Sequence, residues 1–157
     1  MYVDSVQFMR QAIDLAVENV KCGGGPFGAV IVRNGEAVAT GVNRVTSQND
    51  PTSHAEVSAI RAACLKLGVF DLSGCVIYTS CEPCPMCLGA IYWAHIDKIY
   101  FAASKADAAD AGFDDSFIYE EIELPRERRA KPSEKIISEE GLKPFIEWAK
   151  NTEKVEY

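Results

Sequence analysis

The chain has 157 residues, a length that suits one domain with a full hydrophobic core, and no apolar run long enough to span a membrane. Its start, Met1-Tyr2-Val3-Asp4, lacks the basic and apolar regions of a signal peptide, so we expect a cytoplasmic protein. The formal net charge of −7 argues against nucleic acid as a partner, because binding to nucleic acid depends on neutralising phosphates.

The first half of the chain alternates helical and extended patterns. Apolar residues at helical spacing predict an amphipathic helix over 5–20, which the glycine run at 22–26 ends. A strand over 27–32, the turn Asn34-Gly35 and a second strand over 36–42 form a predicted antiparallel hairpin. We expect a loop over 45–51, followed by a helix from about residue 53 to Leu67 that Gly68 ends.

The second half continues the alternation, and parallel strands joined by helices predict an α/β protein. We expect strands over 75–79 and 97–103, helices over 85–93, 104–111 and 141–150, and a short strand over 135–138. The charged stretch Pro125–Pro132 is bounded by prolines and is typical of a linker or hinge.

Two short motifs combine residue types that bind zinc. His54-Ala55-Glu56 and Pro83-Cys84-Pro85-Met86-Cys87 match the deaminase signature H-x-E, then P-C-x-x-C. One histidine and two cysteines supply three ligands of a tetrahedral zinc and leave the fourth position to water. Both motifs fall at predicted helix starts, where the helix dipole favours the thiolates that bind metal.

Two other interpretations of these motifs remain open. Ser53 and Glu56 have the spacing of a capping box, which would give Glu56 a purely structural role. Cys81, Cys84 and Cys87 form C-x-x-C-x-x-C, which could begin an iron–sulfur site or close a four-ligand structural zinc site. We favour Cys81 packing near the metal without binding it.

The other cysteines and the later carboxylates complete the candidate residues. Six cysteines are too few for a secreted disulfide scaffold, and the isolated ones, Cys22, Cys64 and Cys75, are expected to be small buried apolar residues. Asp114 and Asp115 lie between aromatic residues. They could face a flat polar ligand, or form a solvated turn in which Asp115 caps a short helix.

The chain resembles the bacterial guanine deaminases of the cytidine deaminase superfamily. The resemblance is carried by residues 25–32, 49–56, 79–93 and 108–119, and Ala111–Phe117 with Tyr157 favours guanine within that superfamily. Thr52-Ser53-His54 departs conservatively from the family's Thr-Ala-His. The resemblance implies a three-layer α/β/α fold, with a central five-stranded mixed sheet and helices on both faces.

The resemblance also implies the residue roles. His54, Cys84 and Cys87 would hold one Zn²⁺ per subunit, and zinc-activated hydroxide would attack C2 of guanine to give xanthine and ammonia. Glu56 would carry protons, with Asp115 as a second proton shuttle. The implied substrate-binding residues are Phe27, Asn43, Ala55, Trp93, Asp114 and Tyr157.

A further implication concerns assembly: the family exchanges its C-terminal segment, here 125–157, between two subunits. In such a homodimer Tyr157 would cover the pocket of the partner, and the proline-bounded linker is compatible with the exchange. Guanosine, cytosine and an adenosine in tRNA stay open as substrates of the same superfamily, and guanosine is the hardest to separate from guanine.

Overall fold

The computed structural model describes residues 2–157, without the side chains of residues 2–4, as two compact units. The first unit ends at Asp115 and the second runs from Ser116 to Tyr157. Among the described residues, none of the helices combines the length and apolarity that crossing a membrane requires.

A mixed four-stranded sheet forms the middle of the first unit. Its strands are β1 (Gly28–Arg33), β2 (Glu36–Val42), β3 (Cys75–Cys81) and β4 (Lys98–Ala103), in the order β2-β1-β3-β4. β1 is antiparallel to β2 and β3, whereas β3 and β4 are parallel. The predicted hairpin and the α/β class are therefore confirmed.

The predicted fifth strand is absent from the described residues. No strand forms over 135–138, where Ile137 adopts a positive φ of 50°. A β-branched residue in the left-handed region cannot continue a pleated strand. The two isoleucines of this segment are exposed, so apolar character alone led to the wrong prediction.

Helices cover both faces of the sheet. The first unit contains α1 (Tyr2–Lys21), α2 (Val45–Gln48), α3 (Ala55–Leu67), α4 (Pro85–Trp93) and α5 (Lys105–Asp110). Ala12 of α1 packs with Val30 and Tyr78 on one face, and Ala59 of α3 packs with Ile31 on the other. Successive strand residues point to opposite faces, which produces the three-layer α/β/α arrangement.

Close helix–sheet contact requires glycine at two strand positions. A Cβ at Gly28 would overlap the Ala12 carbonyl oxygen of α1, and a Cβ at Gly41 would overlap the Ala55 carbonyl oxygen of α3. The absence of side chains there lets both helices lie directly on the strand backbone. Gly41 thereby fixes the start of α3 against β2.

Three local predictions need correction. The expected loop over 45–51 contains the one-turn helix α2. His54, rather than Ser53, is the N-cap of α3, and Ser53 Oγ donates to Gln48 Oε1 at 2.7 Å, so the capping-box interpretation of Glu56 is wrong. Cys22 is exposed because it follows the last residue of α1, whereas Cys75 is buried as expected.

The second unit is built from two short helices and two 3-10 turns. These are α6 (Ser116–Glu123), turns at Arg126–Arg128 and Glu140–Leu142, and α7 (Lys143–Lys150). The helix predicted over 141–150 is confirmed, with its first residues in the 3-10 turn. Apolar side chains are exposed throughout, including Phe117, Ile122, Phe145, Ile146 and Trp148.

Candidate metal centre and active site

The candidate site lies where two helices of the first unit begin. His54 is the N-cap of α3, Cys84 is the N-cap of α4, and Cys87 follows in the first turn of α4. Pro85 occupies the start of α4, where its missing N–H costs no hydrogen bond. The two helix N-termini thus bring residues 30 positions apart in sequence together.

The three predicted ligands have the spacing that zinc requires. His54 Nδ1 lies 3.5 Å from the sulfur of Cys84 and 3.5 Å from that of Cys87. All three ligand atoms lie within 4.8 Å of one another. Tetrahedral zinc with ordinary Zn–S and Zn–N bonds separates nitrogen and sulfur by about 3.5 Å, so His54, Cys84 and Cys87 could hold this ion.

The pKa shift of Cys84 favours the thiolate that binds a cation, and hydrogen bonds to Cys84 raise the pKa values of the other two side chains. Hydrogen bonding from Cys87, supplemented by His54, lowers the pKa of Cys84 to about 4. The same pairing with Cys84 raises the pKa of Cys87, and burial adds to that rise. The lowered pKa of Cys84 favours its thiolate form beside His54, whose pKa is raised by its hydrogen bond to Cys84.

Glu56 lies beside the ligands without belonging to the ligand group. Its side chain is 5% exposed, and one carboxylate oxygen, Oε2, accepts a hydrogen bond from Cys87 Sγ at 3.2 Å. The other oxygen, Oε1, accepts from Thr79 Oγ1 at 2.9 Å. Burial raises the pKa of Glu56, which suits a group that both accepts and donates protons.

Cys81 is buried nearby but has a different environment. Its Sγ lies 3.6 Å from the Ser104 carbonyl oxygen, and burial raises its pKa to about 11. Within residues 2–157, the group that can hold a metal contains His54, Cys84 and Cys87 but not Cys81. A thiol outside the ligand group fits packing near the metal and does not support an iron–sulfur site or a four-ligand structural zinc site.

Three predicted substrate-binding residues lie on the elements around this centre. Asn43 is buried at the end of β2, and its backbone N–H donates to the Phe27 carbonyl oxygen at 3.2 Å. The Phe27 ring meets the Phe113 ring edge-to-face, with centroids 5.0 Å apart. Ala55 is completely buried at the start of α3.

Asn19 supports this arrangement, although the sequence did not single it out. Its Nδ2 donates to the carbonyl oxygens of Gly25 and Asn43, each at 2.8 Å. One α1 side chain thus ties the glycine run to the end of β2. Asn19 lies on the face of α1 that buries Ala12 and Ala16, which it follows by seven and three residues.

The remaining predicted residues are more exposed. Asp115 is half-buried, and its pKa is raised by burial and, to a smaller extent, by the negative charge of Cys84. Asp114 is exposed. Trp93 ends α4 at the opposite end from Cys84 and is 68% exposed, and Tyr157 is 75% exposed in the second unit. The roles of all four stay predictions.

The sequence of the chain is similar to proteins of known activity. Guanine deaminase of Bacillus subtilis is 56% identical over 96% of this chain and 97% of its own length. The tRNA-specific adenosine deaminase of Aquifex aeolicus is 40% identical over 61% of this chain and 64% of its own length.

Solved structures extend this similarity to the fold. The X-ray structure of guanine deaminase from Bacillus subtilis matches with a TM-score of 0.94 at 55% identity, covering 96% of this chain and 97% of that one. Guanine deaminase from Nitrosomonas europaea matches with a TM-score of 0.67 at 35% identity, over 69% of this chain and 63% of that one.

A family model agrees with the geometry of the centre. Residues 3–103, which include His54, Glu56, Cys84 and Cys87, match the zinc-binding region of cytidine and deoxycytidylate deaminases. That range covers most of the first unit and every side chain of the candidate metal centre. The chain therefore belongs to the zinc-dependent cytidine and deoxycytidylate deaminase family.

Proposed function

We infer that this chain is a guanine deaminase, which hydrolyses guanine to xanthine and ammonia. The observation that carries this inference is the extent of similarity to the Bacillus subtilis guanine deaminase, which continues through the second unit. The tRNA-specific relative matches only 96 residues, or 61% of the chain. The net charge of −7 also disfavours a polyanionic substrate.

The reaction forms a C–O bond at C2 of guanine and breaks the bond to the exocyclic amine. His54, Cys84 and Cys87 would hold the metal. When bound in a three-ligand site, zinc lowers the pKa of a water molecule to about 7 and so supplies a nucleophile at neutral pH. Glu56 would accept a proton from the water and deliver protons to a ring nitrogen and to the departing amine.

The burial of Glu56 supports this role, because its raised pKa makes the protonated form accessible. Asp115 would be the second proton carrier, and its half-buried position near the charge of Cys84 raises its pKa as well. Both carboxyl groups thus have environments in which a proton is held more tightly than in water.

Substrate recognition needs groups that match the edges and faces of a purine. The Asn43 amide and the carboxylates of Asp114 and Asp115 would bond the polar edges. Phe27 would lie against one face of the base and Trp93 against the other, and Ala55 would line the pocket. The edge-to-face contact with Phe113 supports Phe27 in this role, because it fixes the plane of the Phe27 ring.

For the assembly, we propose a single deaminase domain whose segment 125–157 is exchanged in a homodimer, with Tyr157 over the partner's pocket. The exposed apolar side chains of α7, Phe145, Ile146 and Trp148, support this proposal because they need a surface to cover them. Light scattering should report a dimer. A cytoplasmic location stays a prediction, supported by six cysteines that are all unpaired.

Ammonia release from separate solutions of guanine, guanosine, cytosine and adenosine tests the substrate. We expect turnover of guanine, about one zinc per chain by elemental analysis, and loss of activity on chelation that added zinc restores. If guanosine is deaminated at a rate comparable to guanine, the nucleoside replaces the base as the substrate. A tRNA is offered in a separate assay, and ammonia from the tRNA with none from guanine would overturn the proposal.

A further inference from the structure

Thr79 is a buried polar residue for which the proposed mechanism has no use. It lies on β3 with 1% of its surface exposed, among the largest fully buried side chains of the described residues. Cys75 and Ile77, which precede it on the same face of the strand, pack in the apolar cluster under α3. A hydroxyl at such a position is destabilising unless it is hydrogen-bonded.

The partners of this hydroxyl point to its role. Thr79 Oγ1 lies 2.9 Å from Glu56 Oε1 and 3.0 Å from the Cys81 carbonyl oxygen. The other Glu56 oxygen, Oε2, faces Cys87 Sγ at 3.2 Å. The two carboxylate oxygens are therefore divided between the strand and the metal ligands.

We propose that Thr79 is a positioning residue that holds one oxygen of Glu56 on β3 and so keeps the other directed at the metal centre. This inference rests on the proposed role of Glu56 as the proton carrier. A carboxylate without this contact can rotate about its last side-chain bond, whereas the contact of Oε1 with Thr79 restricts that rotation. Proton transfer needs that fixed geometry, because misplacement of a reacting group is costly.

The contact with Glu56 requires the hydroxyl of Thr79, whose oxygen lies 2.9 Å from Oε1 and 3.0 Å from the Cys81 carbonyl oxygen. Valine, which has the same shape, would provide neither contact.

Two variants separate this role from packing. Thr79→Val keeps the volume and removes the hydroxyl, and we expect kcat to fall about 10-fold to 100-fold while KM changes less than about twofold. Thr79→Ser keeps the hydroxyl and should retain kcat within about threefold. Zinc content should stay at one per chain in both variants, and a crystal structure of Thr79→Val should show the Glu56 carboxylate rotated.

A double variant tests whether Thr79 acts through Glu56. In a Glu56→Gln background, Thr79→Val should reduce the residual kcat much less than it does alone, because the group that it positions has been removed. Equal losses in the two backgrounds, equal losses for Thr79→Ser and Thr79→Val, or loss of zinc from Thr79→Val would each overturn the proposal.

These measurements use whichever substrate of the four-compound panel the unaltered protein deaminates. A wrong choice of guanine would appear in the unaltered protein as ammonia from another compound and would leave the comparison of Thr79 variants intact. The structure of Thr79→Val and its zinc content do not depend on turnover at all.

Discussion

The two units of this chain differ in how far their side chains are buried and in the contacts that those side chains make. In the first unit, buried polar groups have specific partners, such as Glu56 with Thr79 and Asn19 with the Gly25 and Asn43 carbonyl oxygens. In the second unit, by contrast, no described residue is buried, and apolar side chains of α6 and α7 are exposed. The first unit thus carries the candidate metal centre and a buried core, whereas the described residues of the second unit form no buried core of their own.

The largest effect is expected at Glu56, the proposed proton carrier of the first unit. Glu56→Gln should lower kcat by about 10³-fold, because the amide cannot accept the proton from water, while the zinc content stays at one per chain. Stopped-time ammonia assays and elemental analysis measure both quantities. Glu82→Gln is the matched control, since the Glu82 carboxylate accepts from the Lys105 backbone N–H, a bond that glutamine can keep, and it should change kcat by less than about threefold. Zinc loss in Glu56→Gln would contradict the separation of proton carrier from ligands.

Close packing of a glycine against neighbouring backbone should contribute to the stability of the first unit but not to that of the second. Gly41→Ala places a Cβ against the Ala55 carbonyl oxygen, and we expect a loss of about 1–3 kcal/mol in the free energy of unfolding. Gly141→Ala places a Cβ where no atom lies within 4 Å, and should change that free energy by less than about 1 kcal/mol. Urea unfolding measures both. Equal losses would show that the two units are packed alike.

Tyr157 tests whether the second unit takes part in catalysis. Its deletion should lower kcat/KM about fivefold, the effect of one hydrogen bond of about 1 kcal/mol, and should leave the unfolding midpoint unchanged. If the segment is exchanged, Tyr157 of one subunit must act on the active site of the other. Mixed dimers of Glu56→Gln and the Tyr157 deletion should regain activity, because the first chain supplies Tyr157 to the intact Glu56 of the second. No regain on mixing, with dimers present, would refute the exchange.

The smallest effect is expected at Asn19, which binds the backbone of the proposed substrate residue Asn43. Asn19→Ala removes both hydrogen bonds that tie Gly25 to Asn43, and should raise KM for guanine about twofold to threefold with kcat nearly constant. Asn151→Ala in the second unit, where Asn151 accepts from the Glu153 backbone N–H, is the control and should leave KM unchanged. A fall in kcat alone for Asn19→Ala would assign Asn19 to the chemistry.

Local spacing was enough to predict most of the first unit. The hairpin at Asn34-Gly35, the end of α3 at Gly68 and the start of α4 at Pro85 all follow from backbone preferences of single residues, and all are observed. The same kind of argument was wrong over 135–138, because two adjacent isoleucines indicate a strand only if a neighbouring strand pairs with them.

The sequence alone determined the metal chemistry. The H-x-E and P-C-x-x-C motifs predict three zinc ligands and a separate carboxylate, because each motif is short enough for its side chains to meet at one helix start. The tertiary structure decided what surrounds them. Thr79 and Glu56 are 23 residues apart, and Asn19 and Asn43 are 24 apart. Such contacts depend on which helix lies on which strand, and no local preference of the chain encodes that pairing.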